Sequence, residues 1–508
     1  MGILDIPGVA TVRTQNGAAS GLRLGNAVLP ARPKGTAKNT LVILGDSITR
    51  QYANASSTPN VYSSAGSFVA WMNAFLKRRF HVVNNAGVSG DTTAQMLARI
   101  QTDVLAYSPD YCTLFGGVND IVSSVPYATT IANLTTIIST LLGAGIRPIL
   151  FTIPPNSGTV GTGGTLTRVA LEKINEFIRQ QEKTNAPVYV VDWAGAATNS
   201  DGTSIAGGTI DNVHPGPLLG LNCGWVAKDR LDGFIPKIVE SRTNQQGTNL
   251  VSNGRLMGNN ASGANGFGVG TGVTGNGPNG WFAARTGSAL VAALSKVASL
   301  DYRQDTRWQV NITTGGADND RIQLSYTVNF RLAVPSAAVL DTTRFYVPQT
   351  GAHYRAIPGG TGQLASNADP TTWLTDIGVT FPNGTATLQC CEPIVPGDIM
   401  QMFADCNVSA LTAGAFVPRL NANFKNTAGT SQLILISAQD EGGTFPGSWP
   451  YPSNFILETP PVALPAGFDL ANTTSSAGPS LVVTLEAYTK AGTNCTFSWA
   501  DVYCGKVV

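Results

Sequence analysis

The chain is poor in charge: Lys, Arg, Asp and Glu make up 12% of its 508 residues and nearly cancel, leaving a formal net charge of +1. Binding to nucleic acid or a membrane surface needs clustered cations, so neither partner is expected. Histidine is scarce, with only His81, His214 and His353. Seven cysteines, at positions 112, 223, 390, 391, 406, 495 and 504, form no CxxC pattern and have no histidine at ligand spacing. No zinc or other metal site is expected, and the thiols read as free and mostly buried. The start, Met1-Gly-Ile-Leu-Asp, lacks the basic region and apolar stretch of a signal peptide. Long apolar runs are missing too. The stretch LTTIISTLLGAGIRPILFTI (134–153) carries Arg147, Pro148 and a glycine pair, and reads as a helix, a turn and a buried strand, not a membrane span. The expectation is a chain made in the cytoplasm without membrane insertion, with its work free to lie outside a cell.

What is present is enough apolar material for full cores, at 43% hydrophobic, spread over a length too great for one ordinary domain. Gly 56 and Pro 29 point to many turns and much β structure. Residues 1–39 read as an extended arm. From 40 to 243, the apolar runs LVILG (41–45), HVVNN (81–85), YCTLFG (111–116), RPILFTI (147–153) and PVYVVDW (187–193) alternate with helical stretches at 67–80, 92–107, 126–143 and 165–182. In the last of these, Leu171, Ile174, Phe177 and Ile178 recur at helical spacing. A final helix is expected over 217–241. Strands separated by helices make a parallel, doubly wound α/β sheet. After the polar linker SRTNQQGTN (241–249), residues 244–508 show alternating strand-like runs between Gly/Asn-rich loops. They read as an all-β sandwich of the jelly-roll kind with a long insertion near 335–390, or as two smaller sandwiches.

In open α/β sheets ligands bind at the carboxyl ends of the strands; three short blocks lie just past such ends, and a fourth follows the fifth run at a distance. Ser47 follows LVILG-Asp46; a serine becomes a nucleophile when a neighbouring base takes its proton, although GDS alone is also a plain turn with Ser47 as an N-cap. Gly90, in VVNNAGVSGDTT, has no Cβ to keep its N–H from a substrate oxygen, although turn glycines are common. Asn119, in LFGGVND, can donate its side-chain amide to an oxyanion while Asp120 holds the loop; Asn and Asp also populate turns for their own sake. Asp211-Asn-Val-His214-Pro215 follows the fifth run. A spacing of i, i+3 in a turn can set a carboxylate on one imidazole nitrogen and leave the other to face the serine. His81 precedes a strand, at the wrong end of the sheet, and His353 lies in the β region. His214 is the candidate base.

Taken together and in order, GDSIT, SGDT, GxND and DxxH resemble the four blocks of the SGNH (GDSL-like) hydrolases, and VVNNAGVSGDTTAQMLARI is similar to the small thioesterase/lysophospholipase members. The resemblance covers residues 40–240. It implies a flavodoxin-like αβα sandwich and a serine esterase. Ser47 would attack an ester carbonyl, His214 would carry the proton, and Asp211 would orient the imidazole. The N–H groups of Ser47 and Gly90 and the Asn119 side chain would hold the oxyanion. No metal or organic cofactor is implied. The segment PPNSGTVGTGGT (154–165) is Gly-rich and favours an open, polar cleft over an acyl tunnel.

A β module behind such a domain suggests glycan binding. Trp281, Trp373, Trp449 and Tyr451 lie in loop-like surroundings where they can stack on sugar rings, the alternative being core packing. Trp308 and Trp499, within strands, read as core. The expected substrate is a short O-acetyl ester on a polysaccharide; a lipase or thioesterase and a non-catalytic scaffold are the alternatives. An N-terminal arm, this hydrolase type and a β-rich tail, without a secretion signal, resemble a phage tail-associated deacetylase acting on an extracellular glycan. Such proteins are often trimeric, though long heptad or β-helix repeats are absent.

Overall fold

Parallel strands buried on both faces read as continuous apolar runs, and the five such runs form one parallel sheet in the computed structural model. Its order in space is His81–Gly87, Thr40–Gly45, Tyr111–Phe115, Arg147–Phe151, Tyr189–Val191. The structure describes residues 38–507 and the short strand pair Arg23–Leu24 and Ala27–Val28, apart from 157–163, 239–247, 299–305, 332–337, 340–342, 358–361, 364–369, 412–416, 442–445, 469–477, 490–493 and positions 58, 265, 319, 348, 440, 447 and 448. Most of the expected N-terminal arm, most of the linker with its 243/244 boundary, and the centre of the Gly-rich segment 154–165 therefore lie outside the described residues. No helix among the described residues is long and apolar enough to cross a membrane.

Helices cover both faces of this sheet. Helix Tyr127–Gly143 buries Leu134, Ile137, Ile138 and Leu141, and helix Gly164–Thr184 buries Leu171, Ile174 and Ile178. Their i, i+3, i+4 spacing puts one apolar stripe against the strands. Each such side chain, fully buried, contributes about 1.5–3 kcal/mol. The stretch 134–153 is a helix end, a turn and a buried strand, as its composition implies. The last helix is shorter than expected: Pro217–Leu231, with Gly233 and Pro236 just beyond its end. Neither residue propagates a helix.

The second half is a β sandwich of two large, mainly antiparallel sheets. One contains Val291–Ala298, Thr306–Thr314, Cys495–Lys506, Ile399–Leu411 and Asn454–Glu458 in that order. The other has Arg321–Arg331, Ser480–Tyr488, Val417–Lys425 and Ser431–Gln439 at its centre. One core, which includes Trp281, Trp308, Leu324, Phe424, Leu485 and Trp499, lies between them. The expected insertion lengthens the second sheet through Thr343–Val347, Ala352–Ala356, Ala386–Cys391 and Thr380–Asn383. It carries its own small core around Phe345, Tyr354 and Trp373.

The two halves interlock in a way the sequence pattern does not announce. A hairpin of the first half, Asn54–Ser57 and Asn60–Ser64, leaves its own sheet and joins the sandwich, where Asn60–Ser64 runs parallel to Ser431–Gln439. Helix Phe68–Phe75 then serves two cores. Phe68, Val69 and Met72 face the α/β core, whereas Trp71, Ala74 and Phe75 enter the sandwich core.

Candidate active site

The strand Thr40–Gly45 ends at Asp46, and helix Ser47–Arg50 begins at once. Asp46 Oδ1 accepts the Ile48 N–H at 3.0 Å, so Asp46 and not Ser47 is the N-cap. Ser47 is the first helical residue. Its N–H has no acceptor within the helix and is free to face a ligand.

The Asp211–His214 segment is a tight turn after the fifth strand. Asp211 Oδ1 accepts the N–H groups of Val213 (3.1 Å) and His214 (2.7 Å), and Asn212 takes a φ of 66°. Asn tolerates that left-handed geometry better than most residues. The turn leaves Asp211 Oδ2 2.7 Å from His214 Nδ1, while His214 Nε2 lies 2.8 Å from Ser47 Oγ. A carboxylate, an imidazole and a hydroxyl thus form one chain of hydrogen bonds at the carboxyl end of the sheet. Pro215 and Gly216 follow, and Pro217 opens the last helix at a position where its missing N–H costs nothing.

Gly90 and Asn119 sit in the two neighbouring strand-end loops. Gly90 has a φ of 85°, and a Cβ built on it meets no protein atom within 4 Å. Glycine is required there by backbone conformation and not by crowding. Asn119 Nδ2 donates to the Asp91 carbonyl at 2.9 Å, tying its loop to that of Gly90 and leaving the second amide proton of Asn119 uncommitted. Buried Asp120 accepts from Thr93 N (2.8 Å), Thr93 Oγ1 (2.6 Å) and Thr130 Oγ1 (3.2 Å), which fixes the same loop from below. The structure joins Ser47, His214 and Asp211 in one chain of hydrogen bonds and ties the Asn119 loop to that of Gly90 at the same end of the sheet.

Burial and charge set the site's protonation. Burial pushes the Asp46 carboxyl up to about 7, against the opposing pull of the Ile48 N–H and of His214. Burial also raises Asp211, but the His214 amide, the imidazole and the Val213 amide outweigh it and hold this carboxyl below its usual range. Asp211 therefore stays an anion, suited to stabilising a cationic imidazole. His81 opens its strand at the opposite end of the sheet. His353 lies in the sandwich, where burial and Arg344 push it down to about 4. Neither is near this chain of bonds. Among the described residues, no three His, Cys, Asp or Glu side chains converge as metal ligands.

The four aromatics proposed for sugar stacking are a different matter. Trp281 (0% exposed) packs against Tyr326, and Trp373 (6%) packs in the small core against Tyr354. Tyr451 (8%) stacks on Phe75 and hydrogen-bonds to Asn222. Trp449 is partly buried over Phe455 and Trp71. Loop-like neighbours in sequence say nothing of the long-range packing that covers these rings. Trp308 and Trp499 are core, as expected. A pocket of about 220 Å³ lies at the far edge of the sheet between Arg168, Asn175, Arg179 and Gly195, and none of the five site residues lines it. Sequence reading also passed over Asp46 as the cap and Gln51 as a neighbour of the histidine turn. The first was readable from the Asp-Ser-Ile N-cap pattern; the second carried no local signal.

Residues 43–218 match the GDSL-like Lipase/Acylhydrolase family. No curated protein matches the chain. Among solved structures it is similar to an acetyl xylan esterase from Geobacillus stearothermophilus, at 24% identity and a TM-score of 0.31 over 41% of this chain and 99% of that one. It is similar as well to an alpha/beta hydrolase enzyme from the metagenome of Lake Arreo, at 23% and 0.32 over 40% and 99%. A GDSL-like lipase from Bacteroides thetaiotaomicron matches at 18% and 0.29 over 39% and 88%.

Proposed function

We propose that this chain, which carries a GDSL-like acylhydrolase domain at residues 43–218, hydrolyses short acyl esters, with O-acetyl groups on a polysaccharide as the substrate class. The observation that carries the reading is the chain Asp211–His214–Ser47, with links of 2.7 and 2.8 Å. Ser47 Oγ attacks the ester carbonyl as its proton passes to His214 Nε2. The tetrahedral oxyanion is met by the N–H groups of Ser47 and Gly90 and by the free amide proton of Asn119. Collapse breaks the bond to the leaving alkoxide, which takes the proton from His214, and an acyl-Ser47 ester remains. Water, deprotonated by His214, then attacks that ester, and the acid leaves as Ser47 regains its hydroxyl.

A short acyl group on a hydroxylated leaving group suits the flanking residues, since Arg50, Ser89, Gly90 and Asn119 offer polar groups or bare backbone. The buried aromatics give no support to sugar stacking, so the glycan would be read by this rim. A longer acyl chain is the second reading, favoured by Val88 (41% exposed) and Val122 (47% exposed) in the elements that carry Gly90 and Asn119. Acetate release from acetylated polysaccharides, with Ser47→Ala as the blank, tests the first reading. Turnover that climbs from acetyl to octanoyl p-nitrophenyl esters would favour the second.

A further inference from the structure

The serine and histidine that meet at 2.8 Å are 167 residues apart in sequence, so something must hold their two segments in register. Gln51, four residues past Ser47 and only 3% exposed, spans them: its Nε2 donates to the carbonyl of Pro215, next to His214, at 3.1 Å. The same carbonyl is also packed by Gly66, beside the Gln51 amide. A Cβ there would stand 1.9 Å from Pro215 O, so the backbone lies flat against it. Gln51 and Gly66 flank the Asn54–Ser64 hairpin, and the Ser64 N–H closes its base onto the Gln51 carbonyl at 2.8 Å. Both stems of one hairpin thus hold the backbone beside the histidine.

The body of that hairpin belongs to the sandwich. Val61 pairs with Leu435 and Tyr62 with Ile436, and the Ala65 N–H donates to Gln439 O at 2.8 Å. Tyr52, beside Gln51 and 1% exposed, donates its hydroxyl to Glu458 Oε1 at 3.0 Å. Glu458 is itself buried and held by Asn73 Nδ2 (2.7 Å) and Arg78 Nε (3.0 Å), while Gln401 bonds to both Glu458 and Arg78. A buried charge whose bonds are all made fixes its partners, because loosening any of them leaves a polar group unsatisfied in the interior.

We propose that Gln51 is a positioning residue for the hydrolysis, holding His214 against Ser47 through Pro215, and that the sandwich sets where Gln51 stands by gripping the hairpin and Tyr52. The inference rests on the reading of Ser47 and His214 as nucleophile and base. It makes the β half part of the active-site frame and not an appended module.

The full-length chain carries the test. Gln51→Met keeps the side-chain length and removes the donor. With p-nitrophenyl acetate and active sites counted by fluorophosphonate titration, kcat per site is expected to fall roughly 10- to 100-fold, the scale of a small misplacement of reacting groups, with KM within about twofold. With only three histidines to resolve, ¹⁵N-histidine spectra report the imidazole directly. The His214 signals move in the variant, whereas those of His353 stay. Should Gln51→Met not fold, Tyr52→Phe, which keeps the ring, carries the test with a kcat loss of about 3- to 10-fold and the same His214 displacement. An active wild type beside a folded variant with unchanged kcat per site and unmoved His214 signals overturns the inference. A wild type that turns over no ester and takes no label defeats the hydrolase reading instead.

Discussion

Both halves bury polar groups, but among the described residues only the α/β half holds an Asp–His pair partly open to solvent at its strand ends. In the α/β half, the polar residues that matter stand at strand ends in half-open loops, with 30% of the His214 side chain and 53% of the Asp211 side chain exposed. In the sandwich, polar groups are drawn inside: Arg307 pairs with Asp405 at 3.1 Å, Arg419 with Glu486 at 2.7 Å, and Arg355 bonds to Gln389. A proton carrier needs solvent and substrate within reach, whereas a buried ion pair orders its neighbours at a desolvation cost. The contrast fits the proposed division, with chemistry in one half and framing in the other.

The sharpest way to break that division is to remove the hydroxyl at the strand end. Ser47→Ala is expected to lower ester turnover by at least ~10³-fold and to leave the thermal midpoint nearly unchanged; a variant that still turns over at the wild-type rate defeats the assignment. Trp281→Ala is the counterpart in the framing half. It should cost about 3–5 kcal/mol of stability in urea titrations, with kcat per folded molecule little altered. If the tryptophan instead bound sugar, stability would hold and KM for the polysaccharide would rise. Asn119→Ala should reduce kcat by roughly 10²–10³-fold, the worth of one oxyanion donor, with a smaller change in KM. The effect spread most thinly, over several pH units, concerns Asp46. Its carboxyl titrates near 7 when folded and near 3.8 when exposed, so the folded state binds the proton more tightly. The stability this gives is complete below about pH 4 and is lost as pH rises through about 7, at up to ~1.4 kcal/mol per pH unit from this group. Asp46→Asn retains a capping oxygen and should flatten the decline. An unchanged slope in pH-dependent denaturation would show that this carboxyl does not govern it.

The α/β half was legible because its signals are local. The central parallel strands are unbroken apolar runs, and Ser47, Gly90 and Asn119 lie a few positions beyond their strands; Asp211 and His214 stand 18 and 21 residues past PVYVVDW and were readable from their own DxxH spacing. The hairpin 54–64 was missed for the opposite reason. Its sequence, NASSTPNVYSS, has little apolar alternation, and its strand partner, Ser431–Gln439, lies some 370 residues away. Trp449 and Tyr451 show the same limit. Their neighbours Gly447, Pro450 and Pro452 spell a loop, yet Tyr451 is buried on Phe75 and Trp449 is partly buried against Trp71, both rings from a helix of the other half. The donor role of Gln51 depends on a turn 164 residues further on. Pattern within a segment is readable from its own residues; register between distant segments is not.

Fluorophosphonate labelling of the folded protein, read by peptide mass spectrometry, addresses the assignment of Ser47 and His214 most directly. A single adduct on Ser47, formed far more slowly in His214→Ala, is the predicted result. Label that spares Ser47, or that reaches it equally fast without the imidazole, would contradict the account.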